Sequence, residues 1–153
     1  MVARIKGITL DWDVNSTRPT YWAKAVWNCY SLPKHRFIPW LVLQQRLQTR
    51  ERLAHFGICQ SELCLLCELE CETQNHLFFS YPYSKVCWTK VKQWLVLKAR
   101  PENVYRLVRW IERGYIGSKF QRKVIYAFMT ALVYMLWKAW NEVLWNAKLS
   151  RLH

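Results

Sequence analysis

The sequence predicts a mainly α-helical domain that carries a small insert of cysteines and a histidine and ends in a long helix. Apolar residues recur at helical spacing along most of the chain, and strand signals are weak throughout. A C-x-x-C pair followed by a histidine interrupts this helical pattern. With 153 residues, of which 52% are hydrophobic, the chain is long enough to bury a core of its own.

The first half of the chain divides into an arm and three short segments. Residues 1–20 are predicted to be a loose polar arm, and residues 21–30, rich in aromatics, fit either a helical turn or a strand. Pro39 fits the first turn of a helix that begins there, because proline lacks the N–H that an interior position needs. Thr49 is predicted to cap a further short helix, and Gly57 to end it.

The second half of the chain is predicted to be helical from the end of the insert onward. Helical spacing places Val86, Val91, Trp94 and Leu95 near one apolar face of the next helix. A further helix is expected to end at Gly114, and a long final helix to run over about residues 119–149. The uncharged stretch 124–137 is shorter than the roughly 20 residues that span a bilayer, so it is interpreted as a buried helix.

The balance of charge indicates a polyanionic partner. Lys and Arg number 23 against 10 Asp and Glu, a formal net charge of +13, which favours RNA or DNA over a membrane surface. Part of this charge alternatively belongs to ordinary solvated helix faces, and most of the aromatics between the cations are expected in the core. The candidate nucleic-acid-binding residues are Lys85, Lys90, Lys92, Arg106, Arg109 and Arg113, and a second basic patch comprises Lys34, Arg36, Arg46, Arg50 and Arg52.

Catalytic signatures are lacking in the sequence. It contains no H-E-x-x-H, P-loop or G-x-S-x-G motif, and its only aspartates are Asp11 and Asp13. A non-catalytic chain without a small-molecule substrate is therefore expected. Six cysteines without a secretory signal indicate a reducing, intracellular compartment, where clustered cysteines more often bind metal than form disulfides.

The cysteine and histidine insert fits a zinc site in part. Cys64 and Cys67 form the C-x-x-C pair, and His76 follows nine residues later. Alternatively, the cysteines pack as small buried hydrophobic residues. Glu70 and Glu72 are expected to be solvated loop acids. A tetrahedral zinc site needs a fourth ligand, for which the candidates are Cys59, Cys71, Tyr81 and Cys87.

Several motifs together resemble a known family. They are YWAKAVW, LPKHRFIPWLVLQQRLQTRERLAHFGI, CLLC, ETQNHLFF and P-Y-S-x-x-x-W, in this order. This arrangement resembles the zinc-binding domain that follows the reverse transcriptase in plant non-LTR (LINE-type) retrotransposons. The resemblance covers residues 21–88 and continues more loosely to the C-terminus. It implies three parts: the arm 1–20, the domain 21–88 and a helical extension 89–153.

The resemblance also implies a ligand set and a function. The implied zinc ligands are Cys64, Cys67, His76 and position 81, where the family has cysteine and this chain has Tyr81. The chain also departs at Pro39, where the family usually has a large apolar residue. The implied function is that of an accessory module that binds nucleic acid, with a nuclear location by analogy only. The alternative is a structural or protein-interaction remnant of a retroelement, without metal or specific nucleic-acid binding.

Overall fold

The computed structural model describes residues 21–98 and 102–151, and helices form its regular structure. The α-helices in these ranges are α1 (Tyr21–Val26), α2 (Pro33–Leu43), α3 (Arg50–His55), α4 (Pro82–Trp94), α5 (Val104–Arg113) and α6 (Lys119–Arg151). A π-helical turn, His76–Ser80, precedes α4. Strand-like pairing within the described ranges is limited to one antiparallel bridge, between Leu63 and Cys71. The predicted mainly α fold is confirmed, whereas the predicted arm, 1–20, lies outside the described residues.

The long helix α6 organises the core. It packs against α1, α2, α4, α5 and the π-helical turn. Phe78, Ile111, Met129 and Val133, which come from three different elements, are among the largest fully buried side chains. Because α4 continues through residue 88 and α5 and α6 share this core, the segments on either side of that residue pack as one body. No helix in the described ranges is both long enough and apolar enough to cross a membrane.

The start of α2 differs from the prediction. Pro33, not Pro39, occupies the first helical turn, after Leu32 in extended conformation. Pro33 suits that position because its fixed φ is helical and its missing N–H has no partner to lose there. Pro39 lies inside α2 and is fully buried, so one hydrogen bond of the helix is absent while its ring packs in the core. The preceding segment, 21–30, contains the helix α1 rather than a strand.

The ends of α3 agree with the prediction. The side chain of Thr49 accepts a hydrogen bond from the Arg52 amide and caps the N-terminus. Gly57 has a φ of +70° and follows the last helical turn. Its amide bonds the carbonyl of Ala54 at 2.8 Å, and the amide of Ile58 bonds that of Leu53 at 2.9 Å. These two bonds form a Schellman motif, which requires the left-handed conformation that glycine adopts most readily.

The π-helical turn frees carbonyl groups that then fix α4. The Ser84 hydroxyl donates to the carbonyl of Leu77 at 2.5 Å, and the Trp88 indole Nε1 donates to that of Phe78 at 2.6 Å. A π-helical turn disrupts the regular i→i+4 ladder, so carbonyls of this turn become available to side chains. Ser84 and Trp88 are therefore buried and form the inner face of α4.

The apolar face predicted for α4 is accordingly wrong at two of its four residues, whereas Val91 and Leu95 are partly buried and Leu95 packs against the core. Val86 and Trp94 are both exposed, although the indole of Trp94 contacts the edge of the Phe128 ring with 4.9 Å between centroids. The reason is that hydrogen bonds from Ser84 and Trp88 to the π-helical turn fix the helix rotation. Hydrophobicity alone does not determine which face packs inward here.

Side-chain caps define α5 and α6. Asn103 accepts from the amide of Arg106 at 2.7 Å, and Gly114 ends α5 as predicted. Ser118 and Gln121 form a reciprocal capping box. The amide of Ser118 donates to the side-chain oxygen of Gln121 at 2.8 Å, and the amide of Gln121 donates to the hydroxyl of Ser118 at 3.1 Å. This box starts α6 where the sequence analysis expected the final helix.

Candidate metal centre and basic surfaces

The C-x-x-C pair lies on a short hairpin. The amide of Glu72 bonds the carbonyl of Glu62, and the amide of Cys64 bonds that of Glu70, both at 2.8 Å. The chain turns between these pairs, and Glu68 takes a positive φ of 55° at the turn. This geometry places the side chains of Cys64 and Cys67 on the same side of the turn, within reach of one metal ion.

Backbone amides point at both sulfur atoms. Burial raises the pKa of the Cys64 thiol, and the amides of Leu66 and Cys67 partly oppose this effect. The amide of Leu69 lowers the pKa of the Cys67 thiol, assisted by the amide of Glu70. N–H groups directed at sulfur favour thiolate, the form in which cysteine binds metal. The turn therefore favours thiolate at Cys67, whereas burial still disfavours it at Cys64.

His76 is brought to the same place by the π-helical turn. Its amide bonds the Thr73 hydroxyl at 2.9 Å, which fixes the start of the turn. Its Nε2 lies 3.4 Å from the sulfur of Cys67, and its Nδ1 lies 2.8 Å from a carboxylate oxygen of Glu70. These partners assign the proton to Nδ1, which donates to the carboxylate, and leave the lone pair of Nε2 facing the sulfurs.

The donor set fits zinc. Ligand atoms of Cys64, Cys67 and His76 all lie within 4.8 Å of one another. Zinc bound tetrahedrally lies about 2.0–2.3 Å from nitrogen and sulfur ligands, so these atoms need to converge only slightly. The Glu70–His76 hydrogen bond is the carboxylate–histidine pairing that orients metal-binding imidazoles. Three candidate ligands are thus in place. The group at the fourth coordination position determines how tightly a metal ion would be bound.

The candidates for the fourth ligand do not join this group. The Cys71 sulfur bonds the Glu62 carboxylate at 3.7 Å, and Cys87 lies close enough to Tyr83 to raise the pKa of the Tyr83 hydroxyl. Cys59 bonds the carbonyls of Arg50 and Ser61, each at 3.4 Å. The ring of Tyr81 meets the His76 imidazole edge-on, with 5.9 Å between centroids. Tyr81 therefore adjoins one of the three candidate ligands, His76, while Cys59 and Cys71 are hydrogen-bonded elsewhere.

Two carboxylates have structural roles that the sequence analysis missed. Glu72 is fully buried, and accepts from the amides of Arg50 and Leu65 at 3.0 and 3.4 Å. It thereby joins the C-x-x-C turn to the start of α3. Glu70 bonds His76 from an exposed position. The expectation that Glu70 and Glu72 are simply solvated is wrong.

The predicted nucleic-acid-binding residues are distributed over two helices. Lys85 and Lys90 are exposed on α4, whereas Lys92 is half-buried. On α5, the three arginines at helical spacing are all exposed, and Arg106 pairs with Glu102 one turn earlier. These three, Arg106, Arg109 and Arg113, form the α5 arginine stripe.

The second basic patch is largely used inside the fold. The guanidinium of Arg36 bonds the carbonyl of Ser31 at 2.6 Å, and that of Arg50 bonds the carbonyl of Ser61 at 3.1 Å. Arg52 bonds the carbonyl of Gln45 at 2.8 Å. These arginines hold loops in place, so their charge is only partly available to a ligand.

The comparison with protein families agrees with this geometry. A family model described as zinc-binding in reverse transcriptase matches residues 12–88, half of the chain, and the match includes the C-x-x-C pair and His76. Neither the curated proteins nor the solved structures compared with the chain gave a match. The chain belongs to the family of zinc-binding domains found in reverse transcriptases.

Proposed function

We propose that the chain is a non-catalytic accessory module that binds RNA or DNA, of the kind associated with the reverse transcriptase of plant non-LTR (LINE-type) retrotransposons. Family membership supports the reverse transcriptase origin. The observation that carries the binding proposal is the α5 arginine stripe, three exposed guanidinium groups on one helix face in a chain of net charge +13. Phosphates are the natural partners of such a face, because each neutralised phosphate releases condensed counterions.

Metal binding and phosphate binding would be carried out by different residues of the chain. Cys64, Cys67 and His76 would hold zinc, and Glu70 orients the imidazole. When bound, the metal would supply a structural cross-link between the hairpin and the π-helical turn. Phosphates would be contacted by the α5 arginine stripe and by the exposed lysines of α4. A non-catalytic role is supported by the scarcity of aspartates, since two-metal nucleotidyl chemistry needs several clustered carboxylates.

Salt dependence of binding tests the role of the arginines. We expect the triple variant Arg106→Gln/Arg109→Gln/Arg113→Gln to weaken binding of an RNA oligonucleotide and to flatten the plot of log K against log salt concentration. Each lost phosphate contact changes this slope by about 0.7 on single strands and about 0.9 on duplex DNA. Lys138→Gln is the control, because Lys138 pairs with Glu142 on α6 at 3.6 Å. An unchanged slope in the triple variant contradicts the proposed surface.

A metal-free structural remnant is the second candidate function. Tyr81 at the fourth position favours it, as do the hydrogen bond of Cys71 to Glu62 and the proximity of Cys87 to Tyr83. The zinc content of chelator-washed protein decides between the two. About one zinc per chain, lost in Cys64→Ser, supports a metal-holding module. Zinc only in Tyr81→Cys supports the remnant, whose helices pack without a metal.

A further inference from the structure

An aromatic pair with an adjacent lysine lies on the surface, outside both predicted basic surfaces. The rings of Tyr30 and Phe120 meet edge to face with 5.6 Å between centroids. Tyr30 is 51% exposed and Phe120 is 59% exposed. The Nζ of Lys123 lies 5.9 Å from the centre of the Tyr30 ring. We call Tyr30, Phe120 and Lys123 the aromatic platform.

The platform is held rigidly although its rings are exposed. The side-chain oxygen of Asn28 accepts from the amides of Tyr30 and Ser31 at 2.9 and 3.1 Å. The hydroxyl of Ser31 is bonded to that of Thr130 on α6 at 3.0 Å, in a buried position. These bonds fix the backbone that carries Tyr30 against α6. A ring on a fixed backbone loses less conformational entropy on binding than a ring on a loose segment, which favours Tyr30 as part of a recognition surface.

Two lysines at the start of α6 carry positive charge next to the rings. Lys119 and Lys123 are exposed and lie one helical turn apart, on the side of α6 that carries Phe120. Neither forms a salt bridge with an acidic residue in the described part of the chain. By contrast, the guanidinium of Arg122 is bonded to the carbonyls of Glu112 and Tyr115. The aromatic platform and the neighbouring Lys119 therefore combine two partly exposed rings with two positive charges that no acidic residue in the described part of the chain neutralises.

We propose that the aromatic platform binds an unpaired nucleic-acid strand, with bases stacked on Tyr30 and Phe120 and phosphates contacted by Lys119 and Lys123. Stacking on aromatic rings needs bases that are free of a duplex, so the platform recognises single strands in preference to double strands. The proposal rests on the proposed function and extends it by assigning strand selectivity to one surface. The charge of this surface complements phosphates, which favours nucleic acid over an apolar protein partner or a second copy of the chain.

Comparison of single-stranded and duplex binding tests the proposal. We expect Tyr30→Leu/Phe120→Leu to lower affinity for single-stranded RNA and DNA oligonucleotides by at least about fivefold, because each lost stacked base weakens binding by about five- to a hundredfold. Duplex affinity and the salt slope should stay unchanged, because no charge is removed. Lys123→Gln should instead flatten the single-strand slope by about 0.7. Phe56→Leu is the matched control: Phe56 is 53% exposed with the Arg52 guanidinium 5.2 Å from its ring centre, but it lies at the end of α3.

The outcomes separate this proposal from the proposed function. If the unmodified protein binds single strands and the double variant binds them equally well, the proposed role of the aromatic platform is wrong, whereas the proposed nucleic-acid-binding function is retained. If the unmodified protein binds neither strand form, both are overturned. A change in molecular mass of the free protein in the double variant, with single-strand binding intact, would identify self-association instead. Photo-cross-linking of a 5-iodouracil oligonucleotide to peptides containing Tyr30 or Phe120 supports the platform without any substitution, and cross-links confined to other peptides contradict it.

Discussion

The Glu70 carboxylate accepts a hydrogen bond from Nδ1 of His76 at 2.8 Å, and this bond directs Nε2 toward the cysteine pair. The bond crosses from the hairpin to the π-helical turn, so it joins the two elements that supply the candidate ligands. A metal ion would add a second connection at the same place. Orientation of the imidazole is therefore built into the chain before any metal binds.

Removal of this carboxylate should weaken zinc binding. We expect Glu70→Gln to lower zinc affinity by about ten- to a hundredfold, the usual effect of losing a partner that orients a metal-binding histidine. Competition with a chromophoric chelator measures the change. Glu68→Gln is the control, because Glu68 lies two residues away on the same turn, is exposed, and takes no part in the pairing with His76. Equal affinities for the two variants would contradict an orienting role for Glu70.

The cysteines should differ in reactivity once metal is removed. The Leu69 amide lowers the pKa of Cys67, whereas burial raises the pKa of Cys64 and of Cys71. Because thiolate is the reactive form, iodoacetamide near pH 7 should modify Cys67 faster than either of the other two. Peptide mass spectrometry of chelator-treated protein measures the order. Added zinc should then protect Cys67 and leave Cys71 unaffected, and protection of both would place Cys71 in the site.

Local signals in the sequence were sufficient for the approach of the two cysteines and for the ends of α3. Cys64 and Cys67 are three residues apart, so one turn brings them together. The caps at Thr49 and Gly57 likewise depend only on residues within one helical turn. The sequence therefore predicted these features correctly, as it did the extent of the final helix.

Features that depend on distant partners could not be predicted in this way. Glu72 is buried because it meets the amide of Arg50, 22 residues earlier. The inward face of α4 is set by the carbonyls that the π-helical turn releases, and an isolated π-helical turn leaves no periodic signal in the sequence. Tyr30 and Phe120 meet although they lie far apart in the chain, and no local pattern relates them.

The end of α3 should depend on glycine for a purely conformational reason. Gly57 has a φ of +70°, and a Cβ atom built there would meet no atom within 4 Å. We expect Gly57→Ala to lower the free energy of unfolding by about 1 kcal/mol, because L-residues are strained in the left-handed region. Gly57→Asn should cost less, since asparagine tolerates this region better. Chemical denaturation measures both, and a loss for Gly57→Asn as large as that for Gly57→Ala would contradict the conformational cause.

Stability of the metal-free protein should depend on the charge of Glu72. Burial raises the pKa of this carboxyl, and the amides of Arg50 and Leu65 offset only part of the effect. A raised pKa means that the folded state holds the proton more tightly than the unfolded state, so the stabilisation is complete below the ordinary carboxyl pKa. It is lost as pH rises through the folded-state value.

Glu72→Gln isolates this contribution, because a glutamine side chain stays neutral at every pH. In the unmodified protein, the amides of Arg50 and Leu65 donate to different carboxyl oxygens of Glu72. The glutamine side chain offers only one oxygen in their place. It can therefore satisfy only one of the two amides, and the variant should be less stable than the unmodified protein near pH 4. As pH rises from about 4.5 toward neutrality, the stability of the unmodified protein relative to the variant should fall. Urea denaturation of chelator-treated samples across this range measures the difference. A difference that stays constant or grows with pH would show that the charged carboxylate is stabilised, not penalised, by its two amides.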